Sequence, residues 1–370
     1  MEKILVEIKK EELMSALKKT GMVKTEALSL VFYSKKGYGN ITANDGSVQV
    51  SGCFFFEKID CEKDVEEIIV GTEFNAVCET MAPMSGNFIL EVSDTDVVIK
   101  CGKAKSSVGR KKEMKTMVAI KDENTISLKM ETSLLKRAIQ KGGYRSMDDN
   151  SRGLKNVLSF IPMLELAEAP RLECFTTDMY VIAMSTVDIK EVSKTTDEYL
   201  SYALPSDRML LMTGLLDAEE TEVFLNTEQL MFRNGNNFFL FQVYDRDYPK
   251  EMHEKFMNND FSQVLELNKK ELEMAVSLAN LSLKEREPVI LRGKEDQISV
   301  CGKGETVTQI DSKGAEFDEI GFNPDFLKAV IKRTDGDIIK IGFSSQYPFV
   351  NIAGEEKDDF AYVAPVSLKK

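Results

Sequence analysis

The stretch VEIKKEELMSALKK, Val6–Lys19, passes from one hydrophobic period to another. Ile4, Val6 and Ile8 alternate as in a strand with one buried face. Leu13, Ala16 and Leu17 then recur at helical spacing. The unit returns twice, as ISLKMETSLLKRAIQK at Ile126–Lys141 and as VLELNKKELEMAVSLA at Val264–Ala279. With Ile8 laid on Met130 and Leu267, Leu13 falls on Leu135 and Leu272, Ala16 on Ala138 and Ala275, and Leu17 on Ile139 and Val276.

A second helix start repeats at matching depth. Thr72 precedes EFNAVCETM, Ser206 opens SDRMLLMT, and Asn323 precedes PDFLKAVIKRT with Pro324 at the first helical position. Thr, Ser and Asn can accept bonds from first-turn N–H groups, and proline has none to lose there. Gly86, Gly214 and Gly336 lie near the far ends. β-patterned segments fill the intervals, among them LSLVFY and ITANDGSVQVSG, where Asp45-Gly46 signals a tight hairpin. Each third of the chain therefore reads strand, helix, strands, helix, strands. The expected fold class is α+β: three tandem domains, each with two helices packed on antiparallel sheets, at 1–119, 120–250 and 251–370.

Bulk composition narrows the classes. The 370 residues are 43% hydrophobic and 29% charged, as in a soluble globular protein, and no apolar run approaches the ~20 residues of a membrane helix. The segment MEKILVEIKK lacks a secretory pattern, so a cytoplasmic location is expected. Six cysteines contain no CxxC pair, and His253 is the one histidine, which argues against zinc and for reduced core thiols. P-loop, dinucleotide, zincin and serine-hydrolase signatures are absent, so no catalytic residue, metal or cofactor is expected. The acid pairs Asp148-Asp149, Glu219-Glu220 and Asp358-Asp359 read as solvated loop charges.

A net charge of −13 is unlike a high-affinity nucleic-acid binder, yet it allows positive charge gathered on one face. The side of the first helices opposite their apolar stripe carries Lys18, then Arg137 and Lys141, then Lys270; loops add Lys24, Arg145, Arg152 and Lys155. The third helix fits least well, because Met274 and Leu278 stand where polar residues are expected.

The triple repeat and four ordered segments, FTTDMYVIAMS, YDRDYPKEM, FNPDFLKAVI and AYVAPV, together resemble the β subunit of bacterial DNA polymerase III, the DNA sliding clamp, along essentially the whole chain. The resemblance implies a head-to-tail homodimer forming a closed ring around duplex DNA, a non-catalytic processivity factor of the nucleoid. Its DNA contacts would be Lys18, Lys24, Arg137, Lys141, Arg152 and Lys270. It also implies a groove between domains 2 and 3 that takes short peptides of the polymerase, the clamp loader and repair proteins. Position by position, that groove falls on Thr177, Met179, Tyr180, Val181, Ile182, Pro249, Asn323, Phe326, Phe349, Val363, Ala364, Pro365 and Val366. The chain departs from the family in several places. Met179-Tyr180-Val181 replaces a glycine–aromatic–arginine run, Ala364-Pro365-Val366 replaces Met-Pro-Met, Lys155 replaces a leucine and Glu251 an aromatic, and Ser206 and Asp207 stand at basic positions. The competing expectation is an acidic interaction scaffold that never encircles DNA.

Overall fold

A computed structural model describes residues 4–119, 123–143, 157–164, 169–177, 180–196, 198–244, 263–284, 287–302, 306–314, 316–343, 350–354 and 359–368. These form two compact units. One comprises Met1–Thr132, Lys190–Lys194 and Leu211–Tyr244; the other comprises Ser133–Ile189, Thr195–Leu210 and Asp245–Lys370.

The first third of the chain runs β1 (Ile4–Ile8), α1 (Lys10–Thr20), β2 (Ala27–Tyr33), β3 (Tyr38–Asn44), β4 (Val48–Asp60), β5 (Val65–Gly71), α2 (Glu73–Met81), β6 (Phe88–Val92), β7 (Asp96–Cys101) and β8 (Ala104–Gly109). The second runs β9 (Ile126–Glu131), α3 (Thr132–Gly142), β10 (Val157–Met163), β11 (Arg171–Thr177), β12 (Val181–Asp188), a short β13 (Glu191–Val192), β14 (Tyr202–Pro205), α4 (Ser206–Thr213), β15 (Glu220–Leu225), β16 (Gln229–Asn234) and β17 (Asn237–Gln242). The last runs β18 (Gln263–Asn268), α5 (Lys269–Leu281), β19 (Val289–Lys294), β20 (Gln297–Cys301), β21 (Thr306–Gly314), β22 (Phe317–Phe322), α6 (Pro324–Arg333), β23 (Ile338–Phe343), β24 (Val350–Ala353) and β25 (Phe360–Val363).

The pairing is the same in each third, and every pair is antiparallel. The second strand lies between the third and the fifth: β2 between β3 and β5, β10 between β11 and β14, β19 between β20 and β22. The last three strands form a meander that starts beside the first strand. β4 and β21 each reach across to pair with both the third and the first strand. In the middle third this long strand is divided, and β13 takes the pairing with β9. The repeat read from VEIKKEELMSALKK is thus a repeat of hydrogen-bond topology.

Two further pairings join one third to the next. Within the first unit, β17 adds to β4, with Phe239 opposite Val50 and Phe241 opposite Val48. Within the second unit, β25 adds to β12, with Val363 opposite Val181 and Ala361 opposite Ala183. Among the described residues each unit thereby contains one continuous sheet, of 13 strands in the first and 12 in the second. An edge strand with unpaired N–H and C=O groups is a site for further pairing, and these additions remove such edges.

The helix faces follow their periodicity. Leu13, Ala16 and Leu17, their counterparts Leu135, Ala138 and Ile139, and Leu272, Ala275 and Val276 are all buried. Gly52 of β4 lets α1 approach, because a Cβ there would lie 2.6 Å from the Ala16 carbonyl oxygen. The Asp45-Gly46 hairpin forms with Gly46 at φ +92°, a left-handed conformation that glycine adopts without steric cost. Asn323 caps α6 by accepting from the N–H groups of Asp325 at 2.9 Å and Phe326 at 3.3 Å, with Pro324 in the first turn. Thr72 departs from expectation: it precedes α2 but already has helical φ and ψ, and its side chain makes no capping bond. Among the described residues no helix is long and apolar enough to cross a membrane.

Candidate functional site

The expected groove residues that are described all belong to the second unit. The C-terminal segment organises them. β25 pairs with β12, the Ala364 N–H then donates to the Tyr180 carbonyl at 2.8 Å, and the Val366 N–H donates to the Gly321 carbonyl at 2.8 Å. One extended segment therefore bridges the second repeat to the third. Asn323 follows β22 directly and starts α6, so the same few residues place Phe326 beside that segment. The Tyr180 ring stacks on Phe326 with centroids 5.7 Å apart and planes 21° from parallel.

Strand alternation sorts the side chains. Val181 and Val363 face the core beneath α5 and α6, together with Phe322, Leu327 and Val330. Ile182 faces the other side of the sheet, against Phe175, Met184 and Tyr362. Thr177, Val181, Ile182 and Val363 are all buried, so they are the floor of this region rather than its open surface. The surface is Tyr180, 47% exposed, with Phe326 beneath it, the half-buried Ala364 and Pro365, and the exposed Val366. These side chains form an apolar strip, chemistry suited to the anchors of an extended peptide. Met179, Pro249 and Phe349 lie outside the described residues, so nothing is stated of their part in it.

The expected nucleic-acid contacts divide into two groups. Lys18 in the last turn of α1, Lys24 in the following loop and Lys270 in the first turn of α5 are exposed; Lys270 lies 3.3 Å from Asp337. Arg152, with Arg145, Lys155 and His253, lies outside the described residues. Arg137 and Lys141 of α3 are engaged within the protein. The Arg137 guanidinium donates to Asp335, at 3.1 Å, and to Asp359. The Lys141 ammonium donates to Asp335 and to the Arg333 carbonyl.

The sequence reading of Asp358-Asp359 as solvated charge is corrected for its second member. Asp359 is 7% exposed, and the Ser185 hydroxyl also donates to it. Burial pushes its carboxyl above the ordinary range, although Ser185, Arg137 and Lys141 oppose the shift. Burial also acts to raise Asp335, but the hydrogen bonds from Lys141 and Arg137 prevail and hold it below the ordinary carboxylate range. No local pattern announced this cluster, because its acids lie 194 or more residues along the chain from its α3 bases.

The first unit has a counterpart. Lys19 of α1 donates to Asp217 at 2.8 Å and to Ser15 at 2.9 Å, and Lys19 is itself buried. Lys19 and Lys141 occupy equivalent places in the repeat, and so do Asp217 and Asp335, each eleven residues after the first residue of its second helix. Carried into the remaining positions, the same equivalence falls on Leu278 in place of lysine and Met84 in place of aspartate. These are 44% and 45% exposed.

A chain of two continuous sheets and six described helices, with one order of elements used three times, has the fold of the sliding clamps. Solved structures of that fold superpose over nearly the whole chain. A DNA polymerase III β-subunit sliding clamp of Pseudomonas aeruginosa bound to griselimycin matches with TM-score 0.84 at 16% identity, covering 99% of this chain and 100% of that one. The β sliding clamp of C. crescentus matches with TM-score 0.83 at 17% identity over 99% and 100%, and the DNA polymerase III β subunit of Thermotoga maritima with 0.79 at 16% over 99% and 100%. No family model matches the chain. In sequence it is 23% identical over 282 residues to the β sliding clamp of Streptococcus pneumoniae, covering 73% of this chain and 72% of the relative. In sequence and in fold this protein is similar to the bacterial β sliding clamps.

Proposed function

We propose that this protein is a DNA sliding clamp: a non-catalytic processivity factor whose homodimer closes into a ring around duplex DNA and tethers a polymerase and other partners through the Tyr180–Phe326 strip. The domains would be those expected, 1–119, 120–250 and 251–370. The observation that carries the reading is the incomplete set of junctions. The last strand of the second repeat, β17, pairs with the fourth strand of the first, β4. The last strand of the third, β25, pairs with the fourth strand of the second, β12. That leaves β8 at a sheet edge, and it leaves residues 306–310 of β21 paired on one side by β20, among the described residues. A second copy meets both needs by offering its β21 to β8 and its β8 to β21. A repeated head-to-tail contact of this kind either closes into a ring or grows into a filament. Six repeats with two such junctions make a closed assembly with no free strand at either junction.

A ring that slides must not read bases. It is served by few, reversible phosphate contacts, and topology supplies the retention. The three expected contacts that are exposed among the described residues, Lys18, Lys24 and Lys270, and the net charge of −13 suit that requirement. The test is retention after loading by a clamp loader. A nicked circular duplex should hold the protein through a high-salt wash, while a linear duplex of equal length should lose it by run-off. Equal loss from both, or no loading at all, would leave the acidic scaffold as the better reading.

A further inference from the structure

The α3 cations and the peptide strip meet in the same framework of bonds. The wall formed by α6 carries Asn323 and Phe326 at its first turn and ends at Arg333, Thr334 and Asp335. At that far end Lys141 bonds the Arg333 carbonyl and Asp335, Arg137 bonds Asp335, and the Arg333 guanidinium donates to the Gln140 carbonyl at 3.0 Å. The wall formed by β25 runs into Ala364–Val366, and its beginning is fixed by Asp359, which receives Arg137 and Ser185. Both walls are therefore tied at their remote ends to two side chains of one helix. Ten helical residues span ~15 Å, so the tie lies about one helix length from the strip.

We propose that Arg137 and Lys141 are positioning residues that couple α3 to the peptide strip. While they hold Asp335 and Asp359, α6 and β25 are fixed for an extended peptide; phosphates that draw these cations outward release both walls and weaken the strip. The inference rests on the clamp reading for the source of the phosphates. The coupling is reciprocal: a peptide seated on the strip lowers the affinity of α3 for phosphate by the same factor. A carboxylate left buried without its cation is costly, which gives the two arrangements unequal energies.

The test uses the full-length protein with two readouts. The first is amide hydrogen exchange at Phe326, Val363 and Ala364, with and without a short linear duplex. The second is the affinity of a labelled hexapeptide carrying Leu and Phe anchors. Arg137→Gln should raise exchange at all three amides and weaken the peptide by roughly five- to tenfold, the low end of the usual range of couplings. Arg137→Lys should restore most of both. Duplex DNA should reproduce the effect in the wild type and add nothing in Arg137→Gln. Unchanged exchange at these amides in Arg137→Gln overturns the proposal, whether or not DNA or peptide binds. Failure of the wild type to load on circular DNA, with Arg137→Gln still loosening the amides, would instead remove the clamp reading and keep the anchoring role.

Discussion

Replacing Leu278 by aspartate tests how the proposed ring closes. The two junctions inside the chain each place a lysine against an aspartate, Lys19 on Asp217 and Lys141 on Asp335. The equivalent positions at the proposed subunit junction would be Leu278 and Met84, each with a little under half of its surface exposed. Fully burying such a side chain contributes ~1.5–3 kcal/mol, so covering the exposed part contributes about 1 kcal/mol for each residue. Leu278→Asp forfeits that share and sets a carboxylate against a thioether, at a further cost of about 2 kcal/mol. The proposed ring would contain the junction twice, so dimerisation should weaken by about 6 kcal/mol, more than 10⁴-fold by the usual conversion. Sedimentation equilibrium should then show a wild-type dimer of twice 41.7 kDa and a variant that is monomeric near micromolar concentration. Adding Met84→Lys rebuilds at the subunit junction the kind of pair found within the chain. The double variant should recover the dimer at low salt and lose it as salt rises, because screening weakens such pairs. A Leu278→Asp protein that sediments with the wild type would show that the equivalence does not carry to the third junction.

Three further outcomes follow from single residues. Lys18→Glu should reduce the slope of log affinity for duplex DNA against log salt by roughly 0.9 for each phosphate that the side chain ceases to neutralise, measured by fluorescence anisotropy across a salt series; an unchanged slope would place the α1 face away from DNA. Gly52→Ala should destabilise the first unit by ~1–3 kcal/mol in urea melts, since the added methyl meets the Ala16 backbone. Asp335 is depressed in the folded state, so its contribution is present above the unfolded carboxyl range near pH 4 and is lost as pH falls below it. Asp335→Asn should therefore lower stability at pH 7 and flatten the acid limb between about pH 5 and pH 2 in the same melts, and an unaltered limb would mean that the Lys141 and Arg137 bonds do not hold that carboxylate.

What the sequence determined by itself was the repeated local plan. Leu13, Ala16 and Leu17 and their counterparts declare a helix face through spacing alone, and Asn323-Pro324 declares a helix start through donors and acceptors within a few residues. Asp45-Gly46 fixes a hairpin in the same local way. Even the misfit of Met274 and Leu278 was visible, and the structure leaves both exposed on α5. Tertiary structure alone decided how charges are used. Arg137 and Lys141 share their helix surface with residues that look equally solvated, and Asp359 follows another aspartate in what reads as a loop. Their pairing required the end of α6 and the start of β25 to be brought to α3 from about two hundred residues away. Periodicity in a chain reports which side of an element faces the core. It carries no record of which distant element arrives to cover the other side, and for a buried charge that arrival decides whether it is solvated, paired or raised in energy.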